Sequence, residues 1–164
     1  MRLVLMGVAG CGKSSVGAAL VDHLHLPYLD GDDLHPAANV EKMRAGIALS
    51  DDDRWPWLDR VAAELQARAP VIIGCSALKR RYRDRIRAGA GGPVRFIHLA
   101  GSRAVIAGRM AQRAGHYMPL SLLDSQFAAL EAPEPDETAL HVDIDQPLPA
   151  MVAQILAALK GDAP

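Results

Sequence analysis

The sequence contains few cysteines and no long apolar run. Two cysteines in 164 residues, Cys11 and Cys75, cannot form the disulfide framework of a small secreted domain, and a chain of this length can bury a core without one. No apolar stretch approaches the roughly 20 residues that a membrane-spanning helix needs. The first residues also lack the charged and apolar regions of a secretory signal peptide. We therefore expect a cytoplasmic protein with reduced thiols and no membrane partner.

The sequence also lacks an excess of positive charge. It has 18 lysine and arginine residues against 19 aspartate and glutamate residues, for a net charge of -1. Nucleic acids and anionic membranes favour proteins with clustered positive charge, so the balance predicts no nucleic-acid partner and favours a small ligand. Only four of the basic residues are lysines, so their positions are informative. The length predicts a single domain over residues 1–164.

Short apolar segments alternate with amphipathic segments along the chain, and no repeat or linker interrupts them. Strands are predicted at residues 2–6, 28–30, 71–75, 94–100 and 140–145. Helices are predicted at residues 13–25, 37–45, 51–69, 78–88, 102–113, 121–130 and 149–159, and residues 133–136 are predicted to be a loop. This alternation predicts an α/β fold with a parallel sheet, in which ligands bind beyond the carboxyl ends of the strands.

A glycine-rich segment joins the first predicted strand to the first predicted helix. Residues 7–14 match the pattern GxxxxGK[ST] in the strand–loop–helix context in which this pattern binds phosphate. Backbone N–H groups of such a loop face the β-phosphate, its lysine reaches the β- and γ-phosphates, and its serine ligates Mg²⁺. The alternative is a glycine-rich turn with a solvated lysine. The motif predicts an ATP site formed by Gly7, Gly10, Cys11, Gly12, Lys13, Ser14 and Ser15.

A phosphate loop alone is compatible with a nucleotide switch, a motor ATPase or a small-molecule kinase. The sequence has no Asn-Lys-x-Asp segment of the kind that reads guanine. The chain is also too short for an ATPase core together with an output domain. A small kinase therefore fits best.

Two aspartates, Asp30 at the end of the second predicted strand and Asp32 just beyond it, should lie on the same edge of the sheet as the phosphate loop. Phosphoryl transfer to a hydroxyl requires Mg²⁺ and a carboxylate that accepts the hydroxyl proton. Two carboxylates in this place can divide that work, one facing metal-bound water and the other facing the substrate. The alternative is an Asp-Gly turn whose acids cap a helix.

Two cations lie near the same predicted edge. Arg54 follows three aspartates, an arrangement that is usually a surface ion pair worth about 0–1 kcal/mol. Lys79 lies at the start of the helix after the third strand, where a cation opposes the helix dipole. A negatively charged ligand would offset that cost.

Seven segments spread through nearly the whole chain resemble the thermoresistant-type gluconokinases, in the order found in that family. They are residues 7–14, 29–36, 39–43, 49–58, 75–84, 115–116 and 142–147. Two of them are specific to that family, Asp-Gly-Asp-Asp-Leu-His-Pro at residues 30–36 and Cys-Ser-Ala-Leu-Lys at residues 75–79. The phosphate loop, in contrast, is shared by very many proteins.

The resemblance implies a three-layer P-loop NTPase fold with a five-stranded parallel sheet in the style of nucleoside monophosphate kinases. It also implies a homodimer that transfers the γ-phosphate of ATP to the 6-hydroxyl of D-gluconate. By similarity to the related shikimate kinases, Asp30 would hold Mg²⁺ through water, with Ser14 as a second ligand, and Asp32 would bind and deprotonate the hydroxyl; Lys13 completes the catalytic set. Gluconate would be held by Asp32, His35, Arg54, Lys79 and His116.

A basic helix face precedes the segment at residues 115–116. Arg109 and Arg113 are four residues apart and so share one face of a helix. This face can close over the triphosphate as part of a lid at about residues 109–120, adding positive charge and excluding water. The alternative is a solvated basic face.

Two other functions remain open at this point. One is shikimate-kinase-like phosphorylation of another small polyol acid, and the other is a nucleotide-binding module that has lost phosphoryl transfer. Shikimate kinase itself is disfavoured because Gly74 is followed by Cys75 and Ser76, where a glycine pair is typical of that enzyme. The sequence leaves open whether Arg54 or Lys79 meets the substrate carboxylate, and whether the two thiols lie close together.

Overall fold

A computed structural model describes residues 1–112 and 120–162 of the chain. The strands are β1 (Arg2–Met6), β2 (Tyr28–Asp30), β3 (Val71–Gly74), β4 (Arg95–Ala100) and β5 (Leu140–Asp143). The helices are α1 (Lys13–Leu24), α2 (Ala37–Arg44), α3 (Asp51–Arg68), α4 (Arg80–Gly89), α5 (Arg103–Gln112), α6 (Leu120–Ala129) and α7 (Leu148–Gly161). The predicted strands and helices are therefore all present.

The ends of several elements differ from the predicted ones. Strand β5 stops at Asp143 rather than at residue 145, because the Asp143 side chain accepts the backbone N–H of Asp145 at 2.8 Å and turns the chain. Helix α4 begins at Arg80 rather than at residue 78, and Lys79 is its extended N-cap residue. The acidic turn after β2 is a 3₁₀ helix, and a second one occupies part of the predicted loop at 133–136; they are Gly31–Leu34 and Pro135–Glu137.

The five strands form one parallel sheet in the order β2-β3-β1-β4-β5. Side chains along β1 alternate between two buried clusters. Leu3 and Leu5 pack with α1, α5, α6 and α7 on one face, whereas Val4 and Met6 pack with α3 and α4 on the other. This double burial explains why the central strands β1 and β3 are almost continuously apolar. Within the described part of the chain, no helix is long and apolar enough to cross a membrane.

The strand order places a crevice at the end of β1. The chain runs from β1 outward to β2, returns to β3, and then crosses β1 to reach β4 and β5 on the other side. Connections that leave a parallel sheet in opposite directions open a ligand site beyond the carboxyl ends of the strands. The segments that follow β1, β2 and β3 therefore converge on one edge of the sheet.

Helix α3 begins at a capping box. The Ser50 hydroxyl accepts the backbone N–H of Asp53 at 3.1 Å, and the Asp53 carboxylate accepts the backbone N–H of Ser50 at 2.9 Å. Asp53 also receives the Lys42 ammonium at 2.7 Å, which ties α2 to the start of α3. These contacts fix the loop that carries Leu49 and the first turn of α3, which carries Arg54.

Candidate active site

The phosphate loop connects β1 to α1 as the motif predicts. Its backbone has positive φ angles at Gly7, Gly10 and Gly12, a region that residues with a Cβ rarely adopt. A Cβ on Gly7 would also lie 2.9 Å from the carbonyl oxygen of Leu99. Glycine is therefore required here, and the loop leads directly into the N-terminus of α1. Unpaired N–H groups and the helix dipole make this end of α1 suited to a phosphate.

Lys13 folds back over its own loop. Its ammonium donates to the carbonyl oxygens of Gly7 at 3.0 Å and of Val8 at 3.2 Å. The side chain also lines a cavity of about 200 Å³ beside the loop, which we call the acceptor cavity. The positive charge thus lies between the phosphate loop and the acceptor cavity.

The acceptor cavity gathers four of the predicted site residues, Lys13, Asp32, His35 and Arg54. Its other walls are mostly apolar or aromatic and include Met43, Ile47, Leu49, Trp57, Leu122 and Gln126. A few convergent polar groups in a mostly apolar concavity are typical of a small-molecule site. The cavity therefore suits a ligand of limited size that carries both hydroxyl and anionic groups.

Asp30, the last residue of β2, and Asp32, just beyond it, have different roles in the structure. Asp30 caps the 3₁₀ turn, because its carboxylate accepts the backbone N–H of Asp32 at 2.9 Å. The side chain of Asp32 instead reaches the acceptor cavity. Asp32 is accessible through the open cavity, yet the surrounding walls desolvate it and raise its pKa above the ordinary 3.8; Lys13 opposes that rise and Asp30 adds to it. A carboxylate whose pKa is raised in this way is a suitable proton acceptor.

The His35 ring lies against an aromatic platform. It stacks on Trp57 with ring centroids 4.1 Å apart and planes inclined by 18°. The Trp57 indole N–H donates to the carbonyl oxygen of Gly31 at 2.8 Å, so the platform is itself fixed to the 3₁₀ turn. This stacking leaves the ring little freedom to rotate.

Hydrogen bonds also fix the protonation of His35. The side-chain nitrogen of Asn39 lies 2.8 Å from the carbonyl oxygen of Asp53 and 3.2 Å from Nδ1 of His35. Because an amide NH₂ donates one hydrogen to the carbonyl, its second hydrogen faces Nδ1, and the ring proton belongs on Nε2. Burial, reinforced by the charge of Arg54, lowers the pKa of His35 to about 4. At neutral pH, His35 is therefore an uncharged ring that donates through Nε2.

Arg54 is held at one end of its guanidinium. Nη1 donates to the carbonyl oxygen of Leu49 and, at 3.2 Å, to the hydroxyl of Tyr82. Within the described residues it forms no ion pair with the neighbouring aspartates, so the surface ion-pair alternative is wrong for Arg54. Arg54 also lines the acceptor cavity.

Lys79 faces an aspartate instead of the acceptor cavity. Its ammonium lies 3.7 Å from Asp51, and the same carboxylate accepts hydrogen bonds from Tyr82 and Arg81. The hydrogen bond from Tyr82, followed by the one from Arg81, lowers the pKa of Asp51 although burial opposes this. Asp51 thus supplies the negative charge that the sequence argument attributed to a ligand, and a contact between Lys79 and substrate remains a prediction.

A second cavity of about 490 Å³ opens on the other side of the phosphate loop. We call it the nucleotide cavity. It is lined by five of the predicted ATP-site residues, Gly10, Cys11, Gly12, Ser15 and Arg109. Arg109 donates a hydrogen bond to the carbonyl oxygen of Ile144, just after β5, and Gln146 adds a side chain to the wall. The phosphate loop separates the two cavities, since Ala9 and Lys13 line the acceptor cavity and residues 10–12 line the nucleotide cavity.

Ser14 and Asp30 carry a hydroxyl and a carboxylate, the kinds of oxygen group that bind magnesium. Ser14 lies in the first turn of α1, and Asp30 is the last residue of β2. In kinases Mg²⁺ is bound by one or two carboxylates or hydroxyls together with phosphates and several waters. A hydroxyl and a carboxylate at this edge fit that chemistry. Among the described residues there is no cluster of three or more histidine, cysteine or acidic side chains for a tighter-bound metal.

The two thiols are free and buried, so neither is in a disulfide. Cys11 lies inside the phosphate loop, where its sulfur is 3.8 Å from the ammonium of Lys13. Burial raises the pKa of Cys75 to about 12, so this thiol stays protonated. Cys75 therefore acts as a small packing residue just after β3.

The predicted lid falls largely outside the described residues. This applies to Arg113 and His116, whereas Arg109 near the end of α5 and Leu120 at the start of α6 are described. The roles expected for Arg113 and His116 therefore remain predictions.

Three residues that shape the site, Trp57, Tyr82 and Gln126, were not predicted as site residues from the sequence. Trp57 and Tyr82 lie inside segments that carry the family resemblance, which is the signal that could have pointed to them. Gln126 has no such signal, because its partner, the backbone N–H of Ala9, lies 117 positions away in the sequence. Contacts of that range leave no local pattern.

Comparisons with known proteins agree with this arrangement. A family model described as an AAA domain matches residues 3–133. The chain is 46% identical to the thermoresistant gluconokinase of Escherichia coli (strain K12), with 96% of this chain and 92% of that protein covered. It is 41% identical to a probable gluconokinase of Rattus norvegicus, with 96% and 97% covered.

A solved structure gives the same result. The fold superposes on a gluconokinase from Sinorhizobium meliloti 1021 with a TM-score of 0.91 and 48% identity, covering 98% of this chain and 91% of that chain. The five-stranded parallel sheet between two helical layers confirms the predicted P-loop kinase fold. Similarity of this extent, together with a phosphate loop joined to an acceptor cavity, shows that the chain belongs to the gluconokinase family.

Proposed function

We propose that the protein transfers the γ-phosphate of ATP to the 6-hydroxyl of D-gluconate, giving 6-phospho-D-gluconate and ADP. The observation that carries this proposal is one cavity that brings Lys13 together with Asp32, His35 and Arg54. Phosphoryl transfer to a hydroxyl requires a cation at the phosphates and a proton acceptor at the hydroxyl, and both face this cavity. The names of the relatives support gluconate as the acceptor.

The nucleotide side of the reaction uses the phosphate loop. The base would occupy the nucleotide cavity, and the triphosphate would follow the loop toward the acceptor cavity. Lys13 now bonds two carbonyl oxygens of its own loop, and phosphate oxygens, which carry full charge, are stronger acceptors for its ammonium. Ser14 and Asp30 would hold Mg²⁺, which when bound neutralises charge on the β- and γ-phosphates.

The acceptor side uses Asp32 as the base. Its carboxylate would take the proton of the 6-hydroxyl as that oxygen bonds to the γ-phosphorus and the bond from phosphorus to the ADP oxygen breaks. The raised pKa of Asp32 suits this step, because a more basic carboxylate accepts a proton more readily. Lys13 lies on the phosphate side of the same cavity, where it would counter the negative charge of the transferring group.

The polyol and carboxylate of gluconate would be held by groups that the structure already orients. The uncharged His35 ring offers an Nε2–H donor to a hydroxyl, and Trp57 keeps the ring in place. Of the two candidate cations, Arg54 lines the acceptor cavity and Lys79 pairs with Asp51. We therefore assign the substrate carboxylate to Arg54.

The family resemblance further supports a homodimer that acts with Mg²⁺ in the cytoplasm. The two buried free thiols fit a reducing compartment. Sedimentation at several protein concentrations would test the dimer, and activity with and without a chelator would test the metal.

A coupled assay of ADP release tests the proposed function. We expect ADP release with D-gluconate and little with shikimate, glycerate or nucleoside monophosphates, with the product phosphate located on C6 by NMR. Turnover with another acid but not with gluconate would show that this other acid is the phosphoryl acceptor. ATP binding without any transfer would favour the nucleotide-binding module, and turnover that ignores every acceptor would contradict a kinase.

The assignment of the carboxylate predicts a difference between two cation variants. Arg54→Met should raise the KM for gluconate by about 10- to 100-fold, because a charged hydrogen bond to the carboxylate is lost, and leave the KM for ATP nearly unchanged. Lys79→Met should raise the KM for gluconate far less. The reverse order of the two effects would assign the carboxylate to Lys79.

A further inference from the structure

Helix α6 forms one wall of the acceptor cavity. Leu122, Ser125 and Gln126 line the cavity, and their spacing of three and four residues places them on one face of the helix. The side chain of Leu123, on another face, is fully buried in the core. The helix thus covers the acceptor cavity on one side and belongs to the core on the other.

One hydrogen bond connects this wall to the phosphate loop. The backbone N–H of Ala9, the third residue of the loop, donates to the side-chain oxygen of Gln126 at 2.6 Å. Ala9 and Gln126 both line the acceptor cavity, so the bond crosses the boundary between the cavity wall and the loop. This bond joins α6 to the loop within the cavity that Lys13 and Asp32 also line.

The position of Gln126 is fixed by the carboxyl end of α6. Just beyond the helix, the backbone N–H of Glu131 donates to the carbonyl oxygen of Leu78 at 2.8 Å, and the Glu131 carboxylate accepts the backbone N–H of Arg80 at 2.9 Å. These bonds attach the helix to the start of α4. The end of the helix that carries Gln126 is therefore held in place by hydrogen bonds outside the cavity.

We propose that Gln126 is a positioning residue that couples ATP consumption to phosphorylation of the acceptor. By holding the Ala9 amide, it keeps α6 closed against the phosphate loop and limits water at the γ-phosphate. This inference rests on the proposed kinase function. In the uncoupled reaction, a water oxygen replaces the acceptor hydroxyl as the nucleophile, the bond from the γ-phosphorus to the ADP oxygen breaks, and inorganic phosphate and a proton are released.

Two substitutions of Gln126 test the proposal. Gln126→Met keeps the length of the side chain but removes the acceptor, whereas Gln126→Glu keeps an oxygen that can accept the Ala9 N–H. At saturating ATP, we expect Gln126→Met to lower the transfer rate by about three- to tenfold and to form clearly less phosphorylated acceptor per ADP than the wild type. Gln126→Glu should keep the ratio of the wild type.

The readout is the amount of phosphorylated acceptor and of inorganic phosphate formed per ADP, measured in the same samples. Gln66→Met, an exposed glutamine on α3 that lines neither cavity, is the matched control and should leave the ratio unchanged. Thermal melting shows whether each variant is folded. A loss of overall stability alone would lower the amount of active enzyme without changing the ratio.

The outcomes separate this inference from the proposed function. If the wild type phosphorylates an acid other than gluconate, the ratio is measured with that acid, and the role of Gln126 is still tested. An unchanged ratio in Gln126→Met would overturn the coupling role. If Gln126→Met and Gln126→Glu lowered the amount of phosphorylated acceptor per ADP equally, the hydrogen bond to Ala9 would not be the cause of the coupling.

Discussion

Replacing Asp32 with asparagine is expected to lower kcat for gluconate phosphorylation by about 10²- to 10⁴-fold, the range typical of a lost general base. Asparagine has nearly the shape of aspartate but cannot accept a proton from the attacking hydroxyl. Because the side chain faces the acceptor cavity, ATP affinity measured by calorimetry should change little. A nucleotide-binding module would instead show no functional change in this variant.

The pH profile gives a second test of the same residue. The base must be ionised to act, so kcat/KM of the wild type should fall as the pH drops through the pKa of Asp32. Burial raises that pKa, and the acid limb of the profile should therefore lie above the ordinary carboxyl value of 3.8. In Asp32→Asn, the pH profile of the residual activity should no longer show this acid limb.

The adjacent Asp33 provides the matched control. It is exposed, lies outside the lining of the acceptor cavity and raises the pKa of Asp32 by its charge. Asp33→Asn should therefore leave kcat near the wild-type value and move the acid limb slightly toward lower pH. A kcat of Asp32→Asn within tenfold of the wild type, with the acid limb retained, would remove Asp32 from the role of base.

The parts of the site that could be predicted from the sequence depend on local patterns. The phosphate loop lies within eight consecutive residues, 7–14, and its glycines reflect backbone angles that are needed in any structure with this loop. Asp32 was predicted to lie in the site because polar residues just after a parallel strand must lie at the carboxyl edge of the sheet. Each of these predictions depends on only a few consecutive residues.

The charged residues were harder to predict because their partners lie far away in the sequence. The spacing of Arg54 from three aspartates suggested an ion pair, yet it bonds Tyr82, which lies 28 positions away. The positive charge of Lys79 at the start of a helix had no evident counter-charge in the sequence, yet Asp51 from another helix supplies one. The sequence shows which residues are charged, but the partner of each charged residue depends on how the helices pack.

Replacing Glu137 with glutamine is expected to lower the free energy of unfolding by about 3–5 kcal/mol, the largest stability change that we expect for a single side chain of this protein. The side chains of Glu137 and Arg83 are both fully buried. The guanidinium donates to the carboxylate through two nitrogens, at 2.7 and 3.0 Å, and Arg87 donates to the same carboxylate at 2.9 Å. Glutamine keeps the size of the side chain but leaves the buried Arg83 charge without a counter-charge.

Helix α4, which carries Arg83, also carries an exposed ion pair whose loss can be compared with the loss of the buried one. Arg85 donates to Asp59 through two nitrogens, at 2.7 and 2.9 Å, but both side chains are about half exposed. Asp59→Asn should cost only about 0–1 kcal/mol, because water screens this pair. Chemical denaturation of both variants measures the difference, and equal losses would contradict the effect assigned to burial.

The effect of Glu137 should also depend on pH in a defined direction. Burial alone would raise its pKa, but hydrogen bonds from Arg83, from the backbone of Glu134 and from Arg87 lower the pKa to about 2 from the ordinary 4.5. The stabilisation is therefore complete above about pH 4.5 and is lost as the pH falls toward about 2. The difference in stability between the wild type and Glu137→Gln should be constant near neutral pH and shrink below about pH 4.5. Arg83 also donates to the carbonyl oxygen of Leu78, a wall of the acceptor cavity, so the KM for gluconate should rise in this variant even where it remains folded.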